Sequence, residues 1–147
     1  MLNFTEEIKN EIISAPPEDE CCKLALISAF IRTSGSVISR NGQFGFEMVT
    51  ENESAAEFIS DILESSFRLN LNVTGAKFDV MSGRDKLTFE CVGENAVCLL
   101  NRAGIISERN GGKFLDFGIA EELIANDRCK TAYLKGAFLG GGSCTLP

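Results

Sequence analysis

Along the first third of the chain the apolar positions keep a helical spacing and then lose it. Phe4, Ile8, Ile12 and Ile13 recur on one helical face, so 3–14 reads as a short amphipathic helix, with Asn3 placed to cap it and Glu6 three residues on. Pro16 and Pro17 end that helix. Asp19 and Glu20 open a second one, in which Cys22, Leu24, Ala25, Leu26, Ile27, Ala29, Phe30 and Ile31 are apolar nearly all round until Gly35 stops it. A helix with no polar face belongs at the centre of a molecule.

The spacing then shortens to that of strands. Segments 36–40 and 44–50 flank Asn41-Gly42, a pair that favours the tight turn of a β-hairpin, with Gln43 available to enlarge the loop. Helical spacing returns at Ala55, Phe58, Ile59, Ile62, Leu63 and Phe67, predicting a helix over 54–67 with Asn52 as its cap. Segments 71–80 and 86–92 bracket Ser82-Gly83-Arg84 as a second hairpin, and the polar-apolar steps Lys77/Phe78 and Thr88/Phe89 leave one of its faces in solvent. Residues 95–102 read as a helix with Gly104 as a left-handed stop. A loop around Gly111-Gly112 follows, then a short helix or turn over 119–125. The order helix, hairpin, helix, hairpin, helix defines an α+β class with an antiparallel sheet.

Composition narrows the setting. With 147 residues and 44% hydrophobic content, the chain has the size and core-forming capacity of one domain. It holds no long apolar span, and 1–10 has no signal-peptide core, which places the chain in the cytoplasm with no membrane partner. The six cysteines (Cys21, Cys22, Cys91, Cys98, Cys129, Cys144) form no CxxC pair, and there is no histidine to complete a mixed zinc site. The expectation is buried, reduced thiols on helix faces in a reducing compartment, with no metal and no cofactor. A net charge of −7 is the wrong sign for a domain whose main task is gripping phosphate, so any DNA surface is local or lies elsewhere.

One internal echo stands out. The segment from Cys22 to Ser36 recurs from Cys129 to Ser143, an interval of 107 residues, with Cys, Lys, Ala, Gly and Ser at equal positions. Ala29 and Gly136 share a slot in which a small side chain lets two helix backbones approach. Within these copies, Ile27-Ser28-Ala29-Phe30-Ile31-Arg32-Thr33-Ser34-Gly35 resembles a degenerate LAGLIDADG motif, and Leu134-Lys135-Gly136-Ala137-Phe138-Leu139-Gly140-Gly141-Gly142 resembles its second copy. The opening Phe4-Thr5-Glu6-Glu7-Ile8-Lys9-Asn10-Glu11-Ile12, the Cys21-Cys22-Lys23 step and the run from Cys129 to Phe138 are similar to the WhiA family of bacterial transcription regulators, so the likeness runs nearly end to end.

That resemblance implies two motif helices side by side on a pseudo-twofold axis, meeting through Ala29, Phe30, Gly136 and Ala137, with the sheet forming half of a saddle over DNA. It divides the chain into an N-terminal helix and linker (1–20), a first LAGLIDADG-like repeat (21–127) and the start of a second (128–147). It further implies a second repeat and a C-terminal helix-turn-helix domain, and a role in sporulation or cell-division control. Neither part follows Pro147 in this sequence, so the expectation is an N-terminal fragment whose incompletely covered motif helices self-associate.

The nuclease chemistry of the fold requires a carboxylate before the last glycine of each motif, because Mg²⁺ takes hard oxygen ligands. Ser34 and Gly141 stand there, and the positions two earlier carry Arg32 and Leu139, so no catalytic residue is assigned and metal-dependent endonuclease activity ranks last. Without histidine the usual general base is also missing. If the sheet keeps an ancestral DNA role, Arg40, Lys77, Arg84 and Lys86 are the candidates for phosphate contact. Ordinary solvated charge competes with that reading, since Glu47, Asp79 and Glu90 share the strands and DNA recognition falls mainly to the helix-turn-helix domain. Two classes remain: a noncatalytic module of a DNA-binding transcription regulator, or a protein-interaction scaffold that positions a separate DNA-binding domain. A basic sheet face favours the first and an exposed apolar face the second.

Overall fold

The computed structural model describes residues 4–79 and 84–142. The chain runs α1 (Phe4–Ser14), α2 (Glu20–Ser34), β1 (Gly35–Arg40), β2 (Gln43–Thr50), α3 (Glu53–Phe67), β3 (Asn72–Asp79), β4 (Arg84–Val92), α4 (Glu94–Arg102), β5 (Ile106–Arg109), β6 (Gly112–Leu115), a 3₁₀ turn (Glu121–Ile124) and α5 (Asp127–Gly141). The architecture is α+β, as the spacing of apolar residues predicts. Its main sheet is antiparallel and four-stranded in the order β1-β2-β4-β3.

Local chemistry explains most element ends. Asn41 and Gly42 both have positive φ, at 52° and 79°, and close a two-residue turn in which Arg40 pairs directly with Gln43. Gln43 is therefore in the strand and the turn is the tight one that Asn41-Gly42 favours, because this primed turn already matches the twist of its strands. The Asn52 side chain accepts a hydrogen bond from the Ala55 amide at 2.9 Å and so caps α3, while its Nδ2 donates to Glu6 at 2.8 Å and ties that cap to α1. Gly104 has φ +72° after α4, the left-handed stop expected there. The expected Asn3 cap and the Ser82-Gly83 turn lie outside the described residues.

One element differs from the expected pattern. The stretch around Gly111-Gly112 is a third hairpin, β5–β6, forming a separate two-stranded sheet turned by Asn110 and Gly111 with φ of 50° and 80°. The Asn-Gly signal was present in the sequence, but the flanking strands have only four residues each and leave Phe114 and Leu115 exposed. Little apolar alternation survives in strands so short and so open.

The core lies between one face of the sheet and the helices. Phe46 and Met48 of β2 and Cys91 of β4 point inward and join one core cluster with Leu26, Ile27, Phe30 and Ile31 of α2. From Leu24 to Ile31 every α2 residue is buried, including Ser28, whose Oγ donates to the Ala103 carbonyl at 2.8 Å. This satisfies a hydroxyl that would otherwise be costly to bury and anchors the end of α4 on the central helix.

The closest packing between helices is that of α2 against α5. Cys22 meets Cys129 near both N-termini and Thr33 meets Gly140 near both C-termini, so the helices run parallel and equivalent positions of the repeat face each other. A β-carbon built on Gly136 would sit 2.1 Å from the Leu26 carbonyl oxygen, and one on Gly140 would sit 1.8 Å from Thr33 Oγ1. Only hydrogen fits at either place. Gly136→Ala is therefore expected to destabilise the fold by about 1–3 kcal/mol through overpacking, despite alanine's better helix propensity. Gly141→Ala, whose new carbon would lie 3.6 Å from Thr33 Cβ in ordinary contact, should be neutral or slightly stabilising. Urea unfolding midpoints check both, and a Gly136→Ala midpoint at or above the parent value contradicts the close-approach account.

Candidate functional site

Two regions carry the candidate chemistry: the C-terminal ends of the motif helices and the solvent face of the sheet. At the helix ends the hydroxyls turn back on their own backbone. Ser34 Oγ donates to the Phe30 carbonyl at 2.9 Å, and Thr33 Oγ1 lies 2.9 Å from the Ala29 carbonyl. Gly141 closes α5 opposite them, with the Gly142 amide donating to the Phe138 carbonyl. Arg32 reaches the other way and donates to the Gly104 and Gly118 carbonyls at 2.9 and 2.8 Å. Its charge braces the loops that follow α4 and β6, which is a structural use the sequence did not reveal. Of the four residues assigned to the helix interface, Ala29 and Phe30 are fully enclosed and Gly136 is buried against Leu26, whereas Ala137 is only half-buried.

Apart from a bulge between Val73 and Gly75 of β3 the sheet alternates, so strand register sorts its charges. Glu47 stands opposite Glu90 across β2 and β4, a like-charge pair that is unfavourable unless bridged. Arg40 supplies the bridge, with Nε 2.8 Å from Glu90 and a terminal nitrogen 3.3 Å from Glu47. The hydrogen bond and charge of Glu90, with a lesser contribution from Glu47, hold the Arg40 guanidinium above its ordinary pKa. Arg40 is thus engaged by carboxylates at one end of the sheet. At the other end Lys77 of β3 stands opposite Lys86 of β4, and Arg84 stands opposite Asp79. Lys86 is exposed. The four candidate cations therefore do not form one patch: Arg40 belongs to the acidic end, and the other three belong to the β3–β4 end.

The cysteines depart from the pattern expected of them. Cys91 is buried on a strand rather than a helix, Cys98 is exposed on α4, and Cys144 lies outside the described residues. Cys21, Cys22 and Cys129 come together, with sulfur atoms within 4.8 Å of one another. A search for CxxC spacing misses this group because the third thiol arrives from the other copy of the repeat, across 107 residues. Burial, with smaller contributions from Cys129 and Cys21, pushes the Cys22 thiol up to about 12.

A parallel pair of motif helices on an antiparallel sheet, with glycines at the helix contact, defines a LAGLIDADG-like domain. Residues 20–106 match the family model of the WhiA N-terminal LAGLIDADG-like domain, and 130–147 match that of the WhiA LAGLIDADG-like domain. The chain belongs to the WhiA family. It is 31% identical over 147 residues to the probable cell division protein WhiA of Clostridium botulinum (strain Hall), covering 99% of this chain and 47% of that protein. The corresponding proteins of Clostridium tetani (strain Massachusetts) and Thermoanaerobacter pseudethanolicus are 30% and 31% identical, each over 99% of this chain and 46% of theirs. The chain thus spans about half the length of these relatives. Among the described residues, no helix is long and apolar enough to cross a membrane.

The raised Cys22 value has a consequence for alkaline stability. The folded state keeps this thiol protonated where the unfolded chain ionises, so its contribution is complete below about pH 9 and is lost as pH rises toward about 12. Stability measured by denaturant at stepped pH is expected to fall through this window, and to fall less steeply in Cys22→Ala. Equal slopes for the two proteins would refute the assignment.

Proposed function

We propose that this chain is a noncatalytic module of a DNA-binding transcription regulator concerned with cell division or sporulation, in which the β3–β4 end of the sheet touches the phosphate backbone. The observation that carries the reading is the register of Lys77 opposite Lys86. The register places two lysine positions side by side on one strand pair, where a single phosphate can be met by both. Arg84 adds a third cation two residues along β4. Arg40 drops out of the contact set because Glu47 and Glu90 hold it. With a net charge of −7 the module binds weakly and without sequence preference, and a helix-turn-helix domain of the complete regulator reads the sequence.

The noncatalytic part of the proposal rests on the motif-helix ends. Ser34 and Gly141 occupy the positions where the fold's nucleases carry acids, and the Ser34 hydroxyl is turned to the Phe30 carbonyl. A neutral hydroxyl and a glycine supply none of the carboxylate oxygens that hold Mg²⁺ at a scissile phosphate.

A second reading, the protein-interaction scaffold, is favoured by a different observation. Phe114, Leu115, Phe117 and Ile119 are all exposed on and after the β5–β6 ribbon, with Phe117 88% accessible. A run of apolar side chains in solvent is characteristic of contact surfaces.

Fluorescence anisotropy of a labelled duplex at low and moderate salt separates these readings. Salt-sensitive binding is expected, with Lys77→Ala and Lys86→Ala each weakening it and lowering the salt slope by about one. Arg40→Ala should change neither. No binding at low salt, or binding indifferent to both lysines, would remove the DNA contact from this module. Supercoiled plasmid incubated with the protein and Mg²⁺ is expected to stay intact, and metal-dependent nicking would overturn the noncatalytic assignment.

A further inference from the structure

The group formed by Cys21, Cys22 and Cys129 has the geometry of a ligand set. Cys129 Sγ lies 3.7 Å from Cys22 Sγ and 3.7 Å from Cys21 Sγ, and all three sulfurs fall within 4.8 Å of one another. A tetrahedral zinc ion with bonds of about 2.3 Å holds its thiolates about 3.8 Å apart, so two edges of this triangle already have the required length. A disulfide, by contrast, requires a sulfur separation of about 2.05 Å, and no pair here approaches it.

The surroundings supply what such a site needs. Cys21 and Cys22 sit in the first turn of α2, and Cys129 sits in the first turn of α5. These helices run parallel, so both N-termini converge on the same three sulfurs and hold them at one end of the seam. The Asn126 side chain accepts from the Cys129 amide at 2.8 Å and holds the start of α5 in place. Cys22 and Cys129 are buried, which gives rigidity, and Cys21 is exposed, which gives an entry path. A cavity of about 440 Å³ lined in part by Asp19, Cys22, Asp127 and Arg128 opens beside Cys22. On α5 the slot equivalent to Cys21 is filled by Arg128, which pairs with Asp19 at 2.7 Å.

We propose that Cys21, Cys22 and Cys129 form a three-thiolate site for a soft, thiophilic cation of the Zn(II) type, which staples the N-termini of the two motif helices together. Each thiol gives up its proton to solvent as the ion binds, and water completes the tetrahedron. The seam between α2 and α5 then has glycine contacts at its C-terminal half and a metal clamp at its N-terminal end.

The test uses the reduced, metal-free 147-residue chain titrated with Zn(II) against a chromophoric chelator, with Cd(II) as a second probe for its thiolate charge-transfer absorbance. One equivalent of Zn(II) is expected to be withheld from the chelator, with a matching Cd(II) band and a rise in melting temperature. Cys129→Ser should weaken binding by about a hundredfold, the share of one ligand in a structural zinc site. Cys21→Ser, at an exposed position that does not disturb the core, should do the same, while Cys98→Ser on α4 should leave binding unchanged. The proposal fails if no equivalent is withheld, or if Cys21→Ser and Cys129→Ser bind as the parent does. It fails equally if the reduced chain takes up no metal while mild oxidation cross-links Cys22 to Cys129.

Discussion

Two helix backbones lie against each other at the centre of this molecule, and the distance between them governs the rest of its structure. Gly136 lets the Leu26 carbonyl approach to where any side chain would stand, and Gly140 does the same for Thr33. That closeness buries α2 on every side, since the sheet covers one flank and α5 another. With no polar face left, the internal hydroxyl of Ser28 must find a protein acceptor, and the Ala103 carbonyl provides it. Arg32, at the edge of the same helix, binds the carbonyls of Gly104 and Gly118. The loops after α4 and β6 are thus positioned by the central helix rather than by their own chemistry.

The elements that were legible in the sequence are those whose burial is periodic. Ala55, Phe58, Ile59, Ile62 and Leu63 form one buried stripe, and Asn52 caps the helix that carries them. The first hairpin was legible from Asn41-Gly42, whose backbone requirement is local. The ribbon of β5 and β6 was not, although Asn110-Gly111 has the same turn chemistry, because Phe114 and Leu115 face solvent and leave no alternation to read. For the candidate site, residue types were readable but their grouping was not. Arg40 looked like any strand cation until register put Glu47 and Glu90 on the same face. The repeat set Cys22 and Cys129 at equal positions, but their contact, and the share of Cys21 in it, follows only from the parallel packing of the two helices.

The sheet face is therefore divided rather than uniformly basic. Its β1–β2–β4 end carries two carboxylates and the arginine that bridges them, while its β3–β4 end sets two lysines opposite each other. Under the proposed DNA contact, such a surface would make a glancing touch on phosphate rather than a grip, because affinity for a nucleic acid scales with the number of phosphates neutralised. At the C-terminal ends of the motif helices, the Ser34 hydroxyl returns to the Phe30 carbonyl and Gly141 lies within contact range of Thr33. The seam between the two helices is the axis on which the sheet and the flanking loops are set.

The most direct test of that account is native-state hydrogen exchange, followed residue by residue. Amides of Leu26 to Ile31 in α2 and of Gly136 to Leu139 in α5 should be among the slowest in the molecule, exchanging together and only through global unfolding. If the α5 amides instead exchange much faster than those of α2, through a local opening that leaves the sheet protected, the two helices do not form one cooperative unit and the seam is not what holds the fold.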